Sequence, residues 1–73
     1  MNTNFLKGVM AVHGDTIGDL AEYLGITPTS ASYKINEKIV NGNKIEFRQG
    51  EIRKIKDRYN LSPAQVDAIF FSA

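Results

Sequence analysis

The sequence predicts an all-α domain of five short helices, with a possible short β-hairpin between the third and the fourth. Three observations lead to this fold class. Apolar residues recur at spacings of three and four in five segments, as they do on one face of a helix. Residues that cap helix N-termini precede three of these segments, and proline follows the capping residue in two of them. The 73 residues are enough for one domain and too few for two, so residues 1–73 are expected to form a single domain.

The first two helices are predicted from apolar stripes that end at glycines. Apolar residues at helical spacing predict a helix over about residues 4–13, which Gly14 ends. Thr16 is a candidate N-cap for the second helix, and Gly25 can adopt the left-handed conformation that stops it. The apolar stripe of this second helix consists of Ile17, Leu20, Ala21 and Leu24.

Capping signals also predict the third and fifth helices. Thr27 followed by Pro28 begins a helix that reaches Asn36. Ser62, Pro63 and Gln65 form a capping box with proline at the first helical position. The fourth helix is predicted over about residues 49–59. The inward-facing residues of the last two helices are Ile52, Ile55 and Tyr59, followed by Val66, Ile69 and Phe70.

Residues 38–47 differ from the rest of the chain, because β-forming residues flank an Asn-Gly-Asn centre at positions 41–43. An Asn-Gly pair between such residues favours a tight hairpin. A lone hairpin is only marginally stable unless it packs on something. The segment is therefore either a short hairpin or a mobile loop.

Composition excludes several classes of protein. The chain contains no cysteine, so disulfides and thiolate metal sites are excluded, and a reducing cytoplasm fits. No run approaches the roughly 18 apolar residues of a membrane span, and the first residues lack the basic and apolar regions of a secretory signal. These features predict a complete, soluble, cytoplasmic protein that is not associated with a membrane.

Charge is distributed unevenly, although the net charge is only +1. Eight of the nine lysines and arginines lie in residues 34–58, together with four acidic residues. Such a basic segment could follow a phosphate backbone, or it could be an ordinary solvated helix face. Both interpretations remain open on charge alone.

The second and third helices, with the turn between them, form a predicted helix-turn-helix unit over about residues 16–36. Ala21 is small at the point where the two helices cross, and Ile26 fills the turn from below. Ala31 and Ile35 pack the third helix against the second. This arrangement leaves the N-terminal end of the third helix projecting, where its side chains can enter a major groove.

Two groups of residues carry a family resemblance. Residues 19–27 (DLAEYLGIT) and 33–36 (YKIN) resemble the Xre/Cro–repressor family of phage and bacterial regulators. Residues 47–52 (FRQGEI), 58–62 (RYNLS) and 69–71 (IFF) resemble small Cro-like proteins from phages of Gram-positive bacteria. The resemblance implies a phage-type transcriptional regulator with a five-helix fold, which is a homodimer and binds palindromic operators in double-stranded DNA.

The resemblance also implies which residues contact DNA. The recognition helix is then residues 28–36, while residues 37–46 have no counterpart in the family and resemble an insertion. Many relatives carry Gln where this chain has Ile17, and Gln or Arg where it has Pro28, so relaxed sequence specificity is expected. Tyr33 could contact a sugar or phosphate, or it could cover Ile26. The implied base-contacting residues are Pro28, Thr29, Ser30, Ser32 and Tyr33, and the implied phosphate contacts are Thr16, Lys34, Lys38, Lys44 and Arg48.

A second function class is a modulator, or antirepressor, that binds a partner repressor and has weak or no specific DNA binding of its own. Phe70 and Phe71 are the candidate protein interface for a homodimer or for a heterodimer with a repressor. Alternatively, Phe71 could fold back over a small core. An enzyme is not expected, because the only histidine, His13, lies at a helix end without suggested metal-ligand or catalytic partners. No cofactor, metal or small-molecule ligand is expected either.

Overall fold

The computed structural model describes residues 1–71 and is mostly helical, with one two-stranded antiparallel sheet. The fold class is thus confirmed as a small helical domain with a hairpin between the third and fourth helices. The elements follow one another as α1 (Thr3–Val12), α2 (Ile17–Leu24), α3 (Pro28–Ile35), β1 (Ile39–Val40), β2 (Asn43–Lys44), α4 (Gln49–Tyr59) and α5 (Pro63–Val66), after which Asp67–Phe71 forms a π-helix. Within residues 1–71, no helix has the length and apolar character needed to cross a membrane.

Local capping explains where three of the helices begin. The Thr16 side chain accepts a hydrogen bond from Asp19 N, and the Asp19 carboxylate accepts one from Thr16 N in return. Thr27 caps α3 through Ser30 N, and Ser62 forms a capping box with Gln65. These caps confirm the predicted starts of α2, α3 and α5.

The hairpin, rather than a loop, follows α3. Ile39 pairs with Lys44 and Val40 pairs with Asn43, and Ile45 N donates to Lys38 O below them. Asn41 and Gly42 have φ angles of 53° and 78°, and positive φ at both central residues is the geometry of a type I′ turn. The Asn-Gly signal in the sequence is therefore confirmed.

The core lies between α1, the α2–α3 pair and the C-terminal helices. Leu6 and Met10 of α1 pack with Leu20, Ile35 and Ile55. Ala21 and Ala31 are completely buried, which lets α2 and α3 approach closely. Gly25, with φ of 74°, makes the sharp turn between them. The remaining buried members of the core are Leu24, Phe47, Tyr59, Leu61 and Ile69.

The C-terminal segment differs from its prediction. The sequence predicts a regular α-helix across residues 66–70, but α5 ends at Val66 and the backbone continues as a π-helix. Ile69 is buried, and its carbonyl accepts a hydrogen bond of 2.6 Å from Asn2 N. This bond fastens the π-helix to the start of α1, a partner almost the whole chain away that the local pattern could not indicate.

Candidate nucleic-acid interface

The N-terminal end of α3 projects from the molecule as the sequence predicts. Pro28 and Thr29 are exposed, and Ser30 and Ser32 are half-buried. Within residues 1–71 the Thr29 and Ser30 hydroxyls have no hydrogen-bond partner, whereas the Ser32 hydroxyl accepts from the Asn36 side chain at 3.4 Å. The first turn of α3 therefore offers two uncommitted hydroxyl groups, which can donate or accept a hydrogen bond.

Tyr33 joins α3 to the hairpin. The Lys38 ammonium lies 4.1 Å from the centre of the Tyr33 ring, in the range of a cation–π interaction. In addition, Lys38 N donates to Tyr33 O at 2.9 Å. Tyr33 remains partly exposed, so its ring and the hairpin lysine form one continuous surface beside the end of α3.

Lys34 has a partner that sequence reasoning missed. Its ammonium is 2.8 Å from both carboxylate oxygens of Glu51, and its side chain is only 13% exposed. Glu51 also accepts a hydrogen bond of 2.8 Å from Arg48 N at the start of α4. Burial alone would raise the pKa of Glu51, but the hydrogen bonds from Arg48 N and Lys34 outweigh it and hold that pKa below its ordinary value. Lys34 therefore fixes α3 to α4, and its role as a phosphate contact stays a prediction.

Three more of the predicted phosphate contacts are exposed to solvent. Lys38, Lys44 and Arg48 are all exposed, and Lys44 lies 3.1 Å from Glu37. Glu37 is also 2.9 Å from the α-amino group of Met1. This amino group, followed by Lys44, lowers the pKa of Glu37 and keeps it ionised. The positive charges of the hairpin lysines are therefore only partly neutralised by acidic side chains.

Thr16 is exposed at the start of α2. Its hydroxyl oxygen accepts the capping hydrogen bond from Asp19 N at 3.1 Å, which leaves the hydroxyl hydrogen free to donate. The geometry is compatible with a phosphate contact at a helix N-terminus, which is a favourable place for an anion.

Asp15 forms a cluster that the sequence did not reveal. Arg58 donates two hydrogen bonds to its carboxylate, at 2.7 and 2.9 Å, and the Tyr59 hydroxyl donates a third at 2.7 Å. Arg58 and then Tyr59 lower the pKa of Asp15 to about 2, so the carboxylate is ionised and fully engaged at neutral pH. Asp15 therefore ties the α1–α2 turn to the end of α4.

The two C-terminal phenylalanines have different environments. Phe70 is half-buried, and its ring meets Phe47 edge-on at 6.1 Å, so it belongs mainly to the core. Phe71 is 58% exposed and borders a cavity of about 430 Å³ that Phe47, Ile52 and Phe70 also line. Of the two, only Phe71 presents a large apolar surface to solvent.

The described residues contain no group of three or more His, Asp or Glu side chains placed to hold a metal ion. Comparison of the chain with protein-family models, with curated proteins and with solved structures found no match. The geometry of α2, α3 and the hairpin is therefore the observation from which a function can be inferred.

Proposed function

We propose that the chain is a Cro-like transcriptional regulator of the Xre/Cro–repressor class, which binds operator DNA through α3. The observation that carries the proposal is the exposed first turn of α3, held on α2 by two completely buried alanines and flanked by the basic hairpin. A helix presented in this way fits a major groove. The family resemblance of residues 19–36 supports the same function.

Rigidity favours α3 as the recognition element. Ala31 and Ile35 are completely buried on its inner side, and Lys34 is fixed to Glu51. The Thr27 cap closes its first turn. Side chains on the opposite side are therefore presented on a preorganised backbone, which reduces the entropy lost on binding.

The positive charge for phosphate contacts and the side chains for base contacts lie on different elements. Because Glu51 neutralises Lys34, α3 contributes little net charge to a phosphate backbone. Lys38, Lys44 and Arg48 supply that charge from the hairpin and from the start of α4. The hairpin then positions the protein on the duplex, while Thr29, Ser30 and Tyr33 contact base edges.

Short hydroxyl side chains limit sequence discrimination. Thr29 and Ser30 make single hydrogen bonds or touch a thymine methyl group, whereas the bidentate contacts of Arg or Gln discriminate more strongly between bases. Pro28 donates no hydrogen bond at all. We therefore expect a preferred operator with tolerance at several positions.

The test is selection of binding sites from a pool of random duplex DNA, followed by titration at several salt concentrations. We expect an enriched sequence that binds more tightly than a scrambled duplex, with affinity falling steeply as salt rises. Replacing both hydroxyl residues (Thr29→Ala with Ser30→Ala) should reduce the preference for the enriched sequence about tenfold. Neither hydroxyl has an intramolecular hydrogen bond among the described residues, so the unfolding temperature should not fall. Equal binding to all duplexes, or a preference unaffected by the double variant, contradicts the assignment of α3.

A second candidate function is binding to a repressor protein, and the exposure of Phe71 is the observation that favours it. An exposed aromatic side chain beside a cavity that apolar and charged side chains line together can anchor a protein partner. This function would be preferred if the chain showed no DNA preference but bound a repressor protein, with binding lost in Phe71→Ala.

A further inference from the structure

The tip of the hairpin, residues 41–43, carries two asparagine side chains that the fold does not use. Asn41 and Asn43 are exposed, and their side chains make no hydrogen bond within residues 1–71. Beside them on β1, Ile39 is an apolar residue that is 67% exposed. Each amide group has two donor hydrogens and an acceptor oxygen, so the hairpin tip can form several hydrogen bonds with another molecule.

Contacts at its base hold the hairpin against the end of α3. Glu37 turns the chain out of the helix with a φ of 53°, and Lys38 N then donates to Tyr33 O at 2.9 Å. The Lys38 ammonium also lies over the Tyr33 ring. On the other strand, Lys44 lies 3.1 Å from Glu37. Both strands are therefore fastened to α3, and the hairpin tip is presented at a fixed position relative to the proposed recognition helix.

The dimensions and charge of the hairpin suit a minor groove. Residues 39–41 extend over about 10 Å at about 3.3 Å per residue, and the minor groove of B-form DNA is about 7.5 Å deep. Because this groove is only about 6 Å wide, the tip can enter it but the paired strands cannot. Lys38 and Lys44 are exposed on the two strands behind the tip, where their charge is complementary to the phosphates on both sides of the groove.

The chemistry of the tip also matches a minor groove. An A·T pair presents two acceptors there, N3 of adenine and O2 of thymine, whereas a G·C pair adds the N2 amino group of guanine. An asparagine amide can donate to these acceptors, and the guanine amino group obstructs its approach. Apolar side chains such as that of Ile39 commonly contact the base steps of a minor groove. Asparagines at the tip would therefore favour A·T over G·C pairs.

We propose that the hairpin tip enters the minor groove next to the major groove that α3 occupies, and that Asn41 and Asn43 select A·T pairs there. The contact rests on the proposed function, binding of operator DNA through α3, and adds a second groove to it. Residues 37–46 have no counterpart in the family that the chain resembles, so this contact is a property of the present chain.

Base analogues in the selected operator distinguish the two grooves. Each A·T pair outside the positions that respond to Thr29→Ala with Ser30→Ala is replaced in turn by G·C, inosine·cytosine or diaminopurine·thymine. Inosine·cytosine has the minor groove of A·T and the major groove of G·C, and diaminopurine·thymine has the reverse. At one or more pairs, inosine·cytosine should bind like A·T, while the two pairs with an N2 amino group bind about tenfold more weakly. Inosine·cytosine that behaves like G·C at every such pair overturns the proposal.

Variants of the tip distinguish contact by the asparagines from an effect of DNA shape. Asn41→Gly keeps a residue suited to the positive φ of the turn, and Asn43→Val keeps a strand-forming residue. The double variant should bind the A·T and G·C duplexes equally at these pairs, with an unchanged preference at the pairs that Thr29 and Ser30 contact. Asn60→Gly is the matched control, because Asn60 is an exposed asparagine with φ of 51° at the end of α4. It should leave the discrimination intact.

The outcomes separate the hairpin from α3. Discrimination against the N2 amino group that survives the double variant of the tip, or that Asn60→Gly reduces equally, overturns the role of the hairpin. The same holds if only the pairs contacted by Thr29 and Ser30 show a preference. Discrimination that requires the asparagines, without any effect of Thr29→Ala with Ser30→Ala, supports the hairpin and contradicts α3. A chain with no base preference at any pair overturns both.

Discussion

The side chain of Asp15 connects elements that are far apart in the sequence. Its carboxylate accepts three hydrogen bonds from Arg58 and Tyr59, and the Arg58 guanidinium also lies 4.8 Å from the centre of the Tyr23 ring. One carboxylate thereby connects the α1–α2 turn to α4 and, through Arg58, to α2. Burial and the hydrogen bond to Asp15 together raise the pKa of Tyr59, so its hydroxyl remains a donor at neutral pH.

Asp15→Asn should lower the free energy of unfolding at pH 7 by about 1–2 kcal/mol, because Arg58 loses its charged partner. The folded-state pKa of Asp15, about 2, lies below its ordinary value of 3.8. Its contribution is therefore fully present above pH 4 and is lost as the pH falls toward 2. Urea unfolding followed by circular dichroism at pH 7 and pH 2 measures both effects, and the difference between wild type and variant should shrink at pH 2.

The matched control is Asp57→Asn on α4. The Asp57 carboxylate is exposed and makes no ion pair or hydrogen bond within residues 1–71, so its loss should change the free energy of unfolding by less than about 0.5 kcal/mol. An equal effect of the two substitutions would show that the Asp15 cluster contributes nothing specific to stability.

At the scale of elements, the starts of α2, α3 and α5 could be predicted because capping is local. Thr16, Thr27 and Ser62 each hydrogen-bond to a backbone amide three positions later. The Asn-Gly turn of the hairpin is similarly local, since Asn41 and Gly42 set its geometry themselves. The sequence was sufficient to predict these helix starts and this turn, because the residues that determine them are neighbours in the chain.

The π-helix and the ion pairs could not be predicted, because they depend on residues that are distant from one another in the chain. The Lys34–Glu51 and Asp15–Arg58 pairs join residues far apart in sequence, and a charged residue carries no sign of its partner. As a result, the exposure of the first turn of α3 could be predicted, but the neutralisation of Lys34 by Glu51 could not.

Gly25→Ala should destabilise the α2–α3 unit by about 1–2 kcal/mol, because its φ of 74° is costly for any residue with a Cβ atom. Gly50→Ala is the matched substitution, since Gly50 is helical and a Cβ atom there meets nothing within 4 Å. It should stabilise the protein by up to about 1 kcal/mol. Thermal unfolding should shift in opposite directions for the two variants, and a shift in the same direction would contradict the left-handed turn.

For the whole molecule, the near-zero net charge conceals a separation of charge. Lys38 and Lys44 project from the hairpin, while Asp19 and Glu22 lie on α2. DNA binding would therefore depend on how the molecule is oriented rather than on its net charge.

Lys38→Gln combined with Lys44→Gln should weaken binding to every duplex and reduce the slope of log affinity against log salt by about 1–2, since up to two phosphate contacts are lost. Sequence preference should not change. Lys54→Gln combined with Lys56→Gln removes two exposed charges from α4 and should leave most of the slope intact. The salt titration measures the slope for both double variants. An equal reduction of the slope in the two variants would show that the hairpin has no special position on the DNA.

The hydrogen bond between Asn2 N and Ile69 O also constrains the order of folding. Joining two segments so distant along the chain carries a large loop-closure entropy, whereas α2 and α3 meet across a short turn. The α2–turn–α3 unit can consequently form first, and the docking of α1 on the π-helix completes the core last. A folding transition state would then contain native contacts around Ala21 and Ala31 and lack those around Leu6 and Ile69.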